Sequence, residues 1–113
     1  MFNHIQQKDI NILKIQLKEN EIDFDQNYNI HLMQYIFDII NQNYQAKILK
    51  KLDTFGLDQV YWNVEIDDLK FTLHYDHYLG VSLYISKSVQ EQIRAQEILK
   101  EIYTLFKTDK LYS

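Results

Sequence analysis

Hydrophobic and polar residues alternate along much of this chain, and the points where the period changes divide it into elements. Leu13, Ile15 and Leu17 alternate with Lys14, Gln16 and Lys18; after Glu19-Asn20, Ile22 and Phe24 alternate with Glu21, Asp23 and Asp25. A two-residue turn at Glu19-Asn20 sets Leu17 against Ile22 and Lys18 against Glu21, matching both faces of a hairpin. A helix through Ile10, Leu13 and Leu17 is the competing reading of residues 10–25. From Asn29 the apolar positions Ile30, Met33, Phe37, Ile40, Tyr44, Ile48, Leu52 and Phe55 recur at threes and fours. That spacing predicts one long helix, with Lys47, Lys50 and Lys51 in its last turns and Gly56 ending it in a left-handed cap.

Three alternating runs follow. Val60, Trp62, Val64 and Ile66 share one face, as do Leu69, Phe71, Leu73 and Tyr75, and then Val81, Leu83 and Ile85. With Asp67-Asp68 as a turn, Val64 opposes Phe71, Trp62 opposes Leu73 and Glu65 opposes Lys70. With 76–80 as a loop, Leu73 opposes Leu83. Ser88 and Glu91 form a capping-box pattern ahead of Ile93, Gln96, Leu99, Ile102, Tyr103 and Phe106, which predicts a closing helix. The expected fold is α+β, in the order ββαβββα: an antiparallel sheet with two long helices on one face. Whether the N-terminal hairpin joins that sheet is not decided by the pattern.

At 113 residues the chain is expected to form a single domain, 1–113. Its 14% aromatic and 46% hydrophobic content fits a folded globule rather than a disordered chain. With no cysteine, thiolate chemistry is excluded and a metal needs His, Asp or Glu ligands. The start lacks the signature of a secretory leader and no apolar run spans a bilayer, so the expectation is a cytoplasmic protein without membrane contact.

The net charge of −4 is uneven. Residues 53–80 carry one basic and six acidic groups, while the segments on either side are close to neutral. That balance disfavours nucleic acid as a partner and favours a basic protein surface.

The reverse face of the meander presents Tyr61, Asn63 and Glu65, then Lys70, Thr72 and His74, then Ser82, Tyr84 and Ser86. Tyrosines bring contact area and a hydrogen-bonding tip to interfaces, although they also sit on exposed strands without any partner. The segment His74-Tyr75-Asp76-His77-Tyr78 raises a sharper question. His74 and Asp76 point the same way and His77 is near them, the minimum for a His-Asp-His metal site. Nothing completes such a site: there is no HExxH and no second histidine pair, and His4 and His31 lie elsewhere. As a general base, His74 lacks an obvious nucleophile, since neither Ser82 nor Ser86 sits in a G-x-S-x-G elbow. The segment is therefore read as a recognition surface, with no catalytic residues, no metal and no cofactor expected.

The stretch YWNVEIDDLKFTLHYDHYLGVSLYI, followed by SVQEQIRAQEILKEIYTLF, resembles small bacterial immunity proteins of contact-dependent inhibition and other polymorphic toxin systems. The likeness covers about residues 58–107 and lies in a meander with an acidic turn, an aromatic-Asp-x-x-x-Gly hairpin and a long C-terminal helix. It implies a non-enzymatic protein that binds and neutralises a cognate toxin domain, often a nuclease with a basic cleft. Such families diverge most where they touch their toxins, so no residue roles carry over. The expected contact residues come from the strand reading: Tyr61, Glu65, Asp67, Asp68, His74, Asp76, His77, Tyr78 and Tyr84. A protein–protein adaptor, homodimeric through the sheet face, is the alternative, and a small metal-dependent hydrolase using His74, Asp76 and His77 is a third. The pattern leaves the oligomeric state open.

Overall fold

The computed structural model describes residues 15–24, 31–53, 59–76, 80–87 and 90–108. Strands β1 (Gln16–Lys18) and β2 (Glu21–Asp23) precede helix α1 (His31–Asn43). Strands β3 (Ala46–Asp53), β4 (Gln59–Ile66), β5 (Leu69–Asp76) and β6 (Gly80–Ile85) then lead into helix α2 (Gln92–Thr108). All six strands form one antiparallel sheet in the order β1-β2-β6-β5-β4-β3.

The meander takes the predicted register. Val64 lies opposite Phe71, Trp62 opposite Leu73, Glu65 opposite Lys70, and Leu73 opposite Leu83. The expected five-residue loop is shorter, because Asp76 and Gly80 pair as the last rung between β5 and β6. The N-terminal hairpin also forms as read, with Leu17 opposite Ile22 and Lys18 opposite Glu21. It joins the main sheet: Ile22 pairs with Leu83, and the Phe24 N–H donates to the Val81 carbonyl at 2.8 Å.

The long helix expected from Asn29 to Phe55 is corrected. α1 ends at Asn43, and residues 46–53 are an edge strand on β4. The physical reason is a one-residue bulge. Ile48 pairs with Val64 but Lys50 pairs with Asn63, so β3 uses two steps against one on β4. Before the bulge Ala46 and Ile48 face the core side; after it Lys51 lies opposite Trp62 and Leu52 opposite Tyr61. The phase shift leaves Ile48 and Leu52 four apart, which imitates a helix.

The stop is fixed where α1 gives way to β3. The Gln45 N–H donates to Asp67 Oδ1 at 3.0 Å and the Asp67 N–H donates to the Gln45 carbonyl at 2.8 Å. Lys47, Lys50 and Lys51 thus sit on a sheet edge, where lysines discourage edge-to-edge pairing, rather than at a helix C-terminus. Gly56 lies outside the described residues.

The second helix starts later than the capping-box pattern suggests, at Gln92; Ser88 lies outside the described residues. The Ala95 N–H bonds to the Glu91 carbonyl, closing the first turn. Its buried stripe is Ala95, Ile98, Leu99, Ile102 and Phe106, whereas Ile93 is 74% exposed and does not join the core.

Both helices pack into one core with a single sheet face. Leu32, Met33, Ile36 and Ile40 of α1 and Leu99, Ile102 and Phe106 of α2 meet Ile22, Val64, Phe71, Leu73 and Leu83 of the sheet. Phe24 and Phe106 close it edge-to-face at 5.2 Å. Each such fully buried side chain contributes about 1.5–3 kcal/mol of transfer free energy, so this face is committed to stability. Trp62 completes it at the β3 edge, capped by Lys51, whose ammonium lies 4.3 Å from the ring centre. No described helix covers the reverse face.

Candidate functional site

On the reverse face, opposite residues of neighbouring strands line up in rows. One row runs Asp23, Ser82, His74, Tyr61, Leu52 from β2 to β3; the next runs Glu21, Tyr84, Thr72, Asn63, Lys50. In β2, β4, β5 and β6 the core residues on either side point the other way, so pleating aims these side chains outward.

The centre of the face is aromatic. The Tyr61 and His74 rings stack with centroids 4.3 Å apart and planes 4° from parallel. Tyr84 meets His74 at 6.3 Å and 84°, an edge-to-face contact. The Tyr61 hydroxyl donates to Gln59 Oε1 and so holds the ring upright from its own strand. Beneath this cluster Thr72 is buried, its hydroxyl donating to Asn63 Oδ1 and sharing a hydrogen bond with Ser86 Oγ. Leu52 continues the row past Tyr61 and is 41% exposed, so the aromatic centre extends into an apolar edge.

Burial lowers the His74 pKa from its ordinary value, and the charges of Asp76 and Glu21 pull it only partly back. The imidazole is therefore neutral at neutral pH. Its Nε2 is buried and has no hydrogen-bond partner among the described residues, so it is not presented to solvent as a base. Tyr84 is shifted upward by burial, with Tyr61 and Glu21 adding to the shift and a hydrogen bond with Thr72 opposing it.

The expected contact residues fall into two groups. Tyr61, His74, Tyr84 and Asp76 come together at one end of the meander, with Asp76 buried at the last rung of β5 and β6. Glu65, Asp67 and Asp68 lie at the other end; Tyr61 and Glu65 are four residues apart on one strand, about 13 Å. That second group is largely engaged within the fold. Glu65 pairs with Lys47 across the β3–β4 ladder at 3.3 Å. Asp67 is bonded to Gln45 through its side chain and amide, and its carbonyl accepts from Arg94 Nη2 at 3.0 Å. Asp68 is exposed on the turn. His77 and Tyr78 lie outside the described residues.

A shallow hollow beside the turn is lined by Asn41, Tyr44, Gln45, Lys47, Glu65 and Asp68. Next to it the Tyr44 hydroxyl donates to Glu101 at 3.0 Å. Burial first, then this bond and the charges of Glu101 and Asp67, push the phenol up to about 12. Tyr44 is thus a structural donor at neutral pH rather than an acid or a nucleophile.

Sequence reasoning missed three residues of the central face: Glu21, Leu52 and Lys50. Glu21 arrives through the β2–β6 pairing, which no local pattern encodes. Leu52 and Lys50 were hidden by the helical spacing of β3, although an alternation reading of residues 50–52 places both on the Tyr61 side. Among the described residues, no group of three His, Asp or Glu side chains is placed to hold a metal ion, and no helix is long and apolar enough to cross a membrane. Comparison of the chain with known protein families, with curated proteins and with solved structures yields no match.

Proposed function

We propose that this chain is a non-enzymatic binding protein of the immunity type, which takes up a protein toxin domain on the sheet face that no described helix covers and thereby blocks it. The observation that carries the reading is the Tyr61–His74–Tyr84 cluster at the centre of that face. Three rings held by stacking and by the Gln59 and Thr72 side chains supply contact area whose ordering cost is already met. Leu52 extends the patch, while Lys50 and Glu21 stand at its two flanks, an arrangement of apolar centre and polar rim that interfaces share. The class of partner comes from the resemblance of residues 58–107 to immunity proteins.

The acidic docking segment expected from the linear charge count is revised within this proposal. Lys47 and Lys50 of β3 lie beside Glu65 and Asn63 of β4, Glu65 is paired, and Asp67 is bound to Gln45, so the face is mixed in charge rather than uniformly acidic. The proposed contact set is accordingly centred on Tyr61, His74, Tyr84 and Leu52.

The test is co-purification with the polypeptide encoded immediately upstream, followed by calorimetry on variants. Tyr61→Ala and Tyr84→Ala, with melting curves as folding controls, are expected to weaken the complex by about tenfold or more. A complex whose affinity ignores both changes removes this face from the proposal. A chain that sediments as a dimer by itself, and loses the dimer in Tyr61→Ala, supports the adaptor reading instead.

A further inference from the structure

Where β2, β6 and β5 run side by side, Glu21 has no ion pair among the described residues. Glu21 lies directly opposite Tyr84, which lies beside Thr72 and meets His74 edge-to-face. Lys18 sits across from Glu21 on β1, yet the ion pairs among the described residues are Lys47–Glu65 and Arg94–Glu91. The field of Glu21 reaches both His74 and Tyr84. Asp23 and Asp76 add negative charge on the same side of the face, and the neutral His74 supplies no counter-charge. This corner therefore combines a half-buried carboxylate, without an ion pair among the described residues, with flat aromatic walls.

The chemistry of such a corner selects its ligand. Anions are repelled by Glu21, Asp23 and Asp76. A metal ion finds no set of three ligands among the described residues here. An ammonium can meet the carboxylate but offers the rings only a point charge. A guanidinium is planar, weakly hydrated and forked, so it can stack on a tyrosine while pairing with a carboxylate through two N–H groups. Resting on the reading that this face receives a protein, we propose that the Glu21–Tyr84–His74 corner is a receptor for an arginine side chain of the partner, its guanidinium paired with Glu21 and stacked against Tyr84.

The receptor can be tested without the partner. The isotope-labelled full chain is titrated with Nα-acetyl-arginine methylamide and followed by NMR, with the neutral citrulline and the lysine analogues as parallel probes. The expected result is saturable shifts at Glu21, Tyr84 and His74 with the arginine probe. The citrulline probe gives none and the lysine probe binds more weakly. Glu21→Gln is expected to weaken the arginine probe about tenfold, the loss of one charged partner, whereas Tyr84→Phe keeps the ring and retains binding. By linkage, the bound probe also moves the titration of His74 to lower pH, since the added positive charge opposes imidazolium.

Citrulline shifts equal to those of arginine overturn the proposal. So do shifts spread equally over exposed acids such as Glu19, Glu97 and Glu101, or undiminished binding in Glu21→Gln. The two readings also fail separately. A partner that needs Tyr61 but ignores Glu21→Gln removes the arginine receptor and leaves the binding face standing; a partner that docks on the helices removes the face.

Discussion

The turn between β4 and β5 offers a test in which neighbouring residues of the same type respond with opposite sign. Asp67 and Asp68 both occupy the left-handed region, at φ 49° and 70°, in the two-residue hairpin geometry that favours glycine. For a residue with a β-carbon this conformation costs about 1–2 kcal/mol. Asp68 is exposed, and no hydrogen bond of its side chain to the described residues offsets that cost. Asp68→Gly is therefore expected to stabilise the protein by about 0.5–1 kcal/mol, after the extra unfolded-state freedom of glycine is allowed for. Asp67→Gly relieves the same strain but deletes the carboxylate that accepts from the Gln45 N–H at 3.0 Å. A charged hydrogen bond contributes about 1.5 kcal/mol in a partly solvated setting. Asp67→Gly is thus expected to fall about 0.5–1 kcal/mol below the wild type.

Urea unfolding followed by circular dichroism measures both, with the slope unchanged if only stability moves. The two variants should also melt about 5 °C or more apart. Asp67→Gly as stable as Asp68→Gly would show that the Gln45 bond contributes nothing, and Asp68→Gly no better than wild type would refute the strain argument. The outcome bears on function too, since it separates the acid that holds the fold from the one free to meet a partner.

Three further predictions follow from the same geometry. Because the folded His74 holds its proton less tightly than the unfolded side chain, whose pKa is near 6.5, the unfolded state takes up more protons as pH falls below that value. Stability should accordingly be full above pH 6.5 and decline below it, and His74→Gln should flatten that decline in urea titrations; an unchanged pH slope would contradict the buried neutral imidazole. Lys51→Ala removes the cation over Trp62 and should cost about 0.5–1 kcal/mol and alter tryptophan emission, with no spectral change counting against the contact. Phe71→Ala empties a fully buried position between β4 and β6 and should cost about 3–5 kcal/mol by thermal melting; a loss under 1 kcal/mol would mean that the core is not packed around it.

How much of this was legible in the sequence depended on distance along the chain. The meander was readable because each strand keeps an unbroken period of two and the Asp67-Asp68 turn leaves one register that puts Trp62, Leu73 and Leu83 on the same side. β3 was misread because the bulge at Leu49 restarts its alternation, leaving Ile48 and Leu52 at helical spacing. Gln45, which stops the helix, does so through Asp67, twenty-two residues away. The β2–β6 pairing is longer in range still, and with it went Glu21.

The linear charge count missed a pairing for a related reason: counted along the chain, Lys47 and Glu65 belong to different segments, but in the sheet they are cross-strand neighbours at 3.3 Å. The aromatic part of the candidate site was visible, since Tyr61, His74 and Tyr84 lie on strands whose register was legible. Its flanks were not.

The central claim, that the sheet face carrying Tyr61, His74 and Tyr84 is the binding surface, is most directly tested by hydrogen exchange on the full chain with and without the upstream-encoded polypeptide. The account predicts slowed exchange in β4, β5 and β6 around Tyr61, His74 and Tyr84, extending to β3 near Leu52 and to β2 near Glu21, with the exposed sides of α1 and α2 unchanged. Protection confined to the helices, or a complex that leaves these strands untouched, would contradict it.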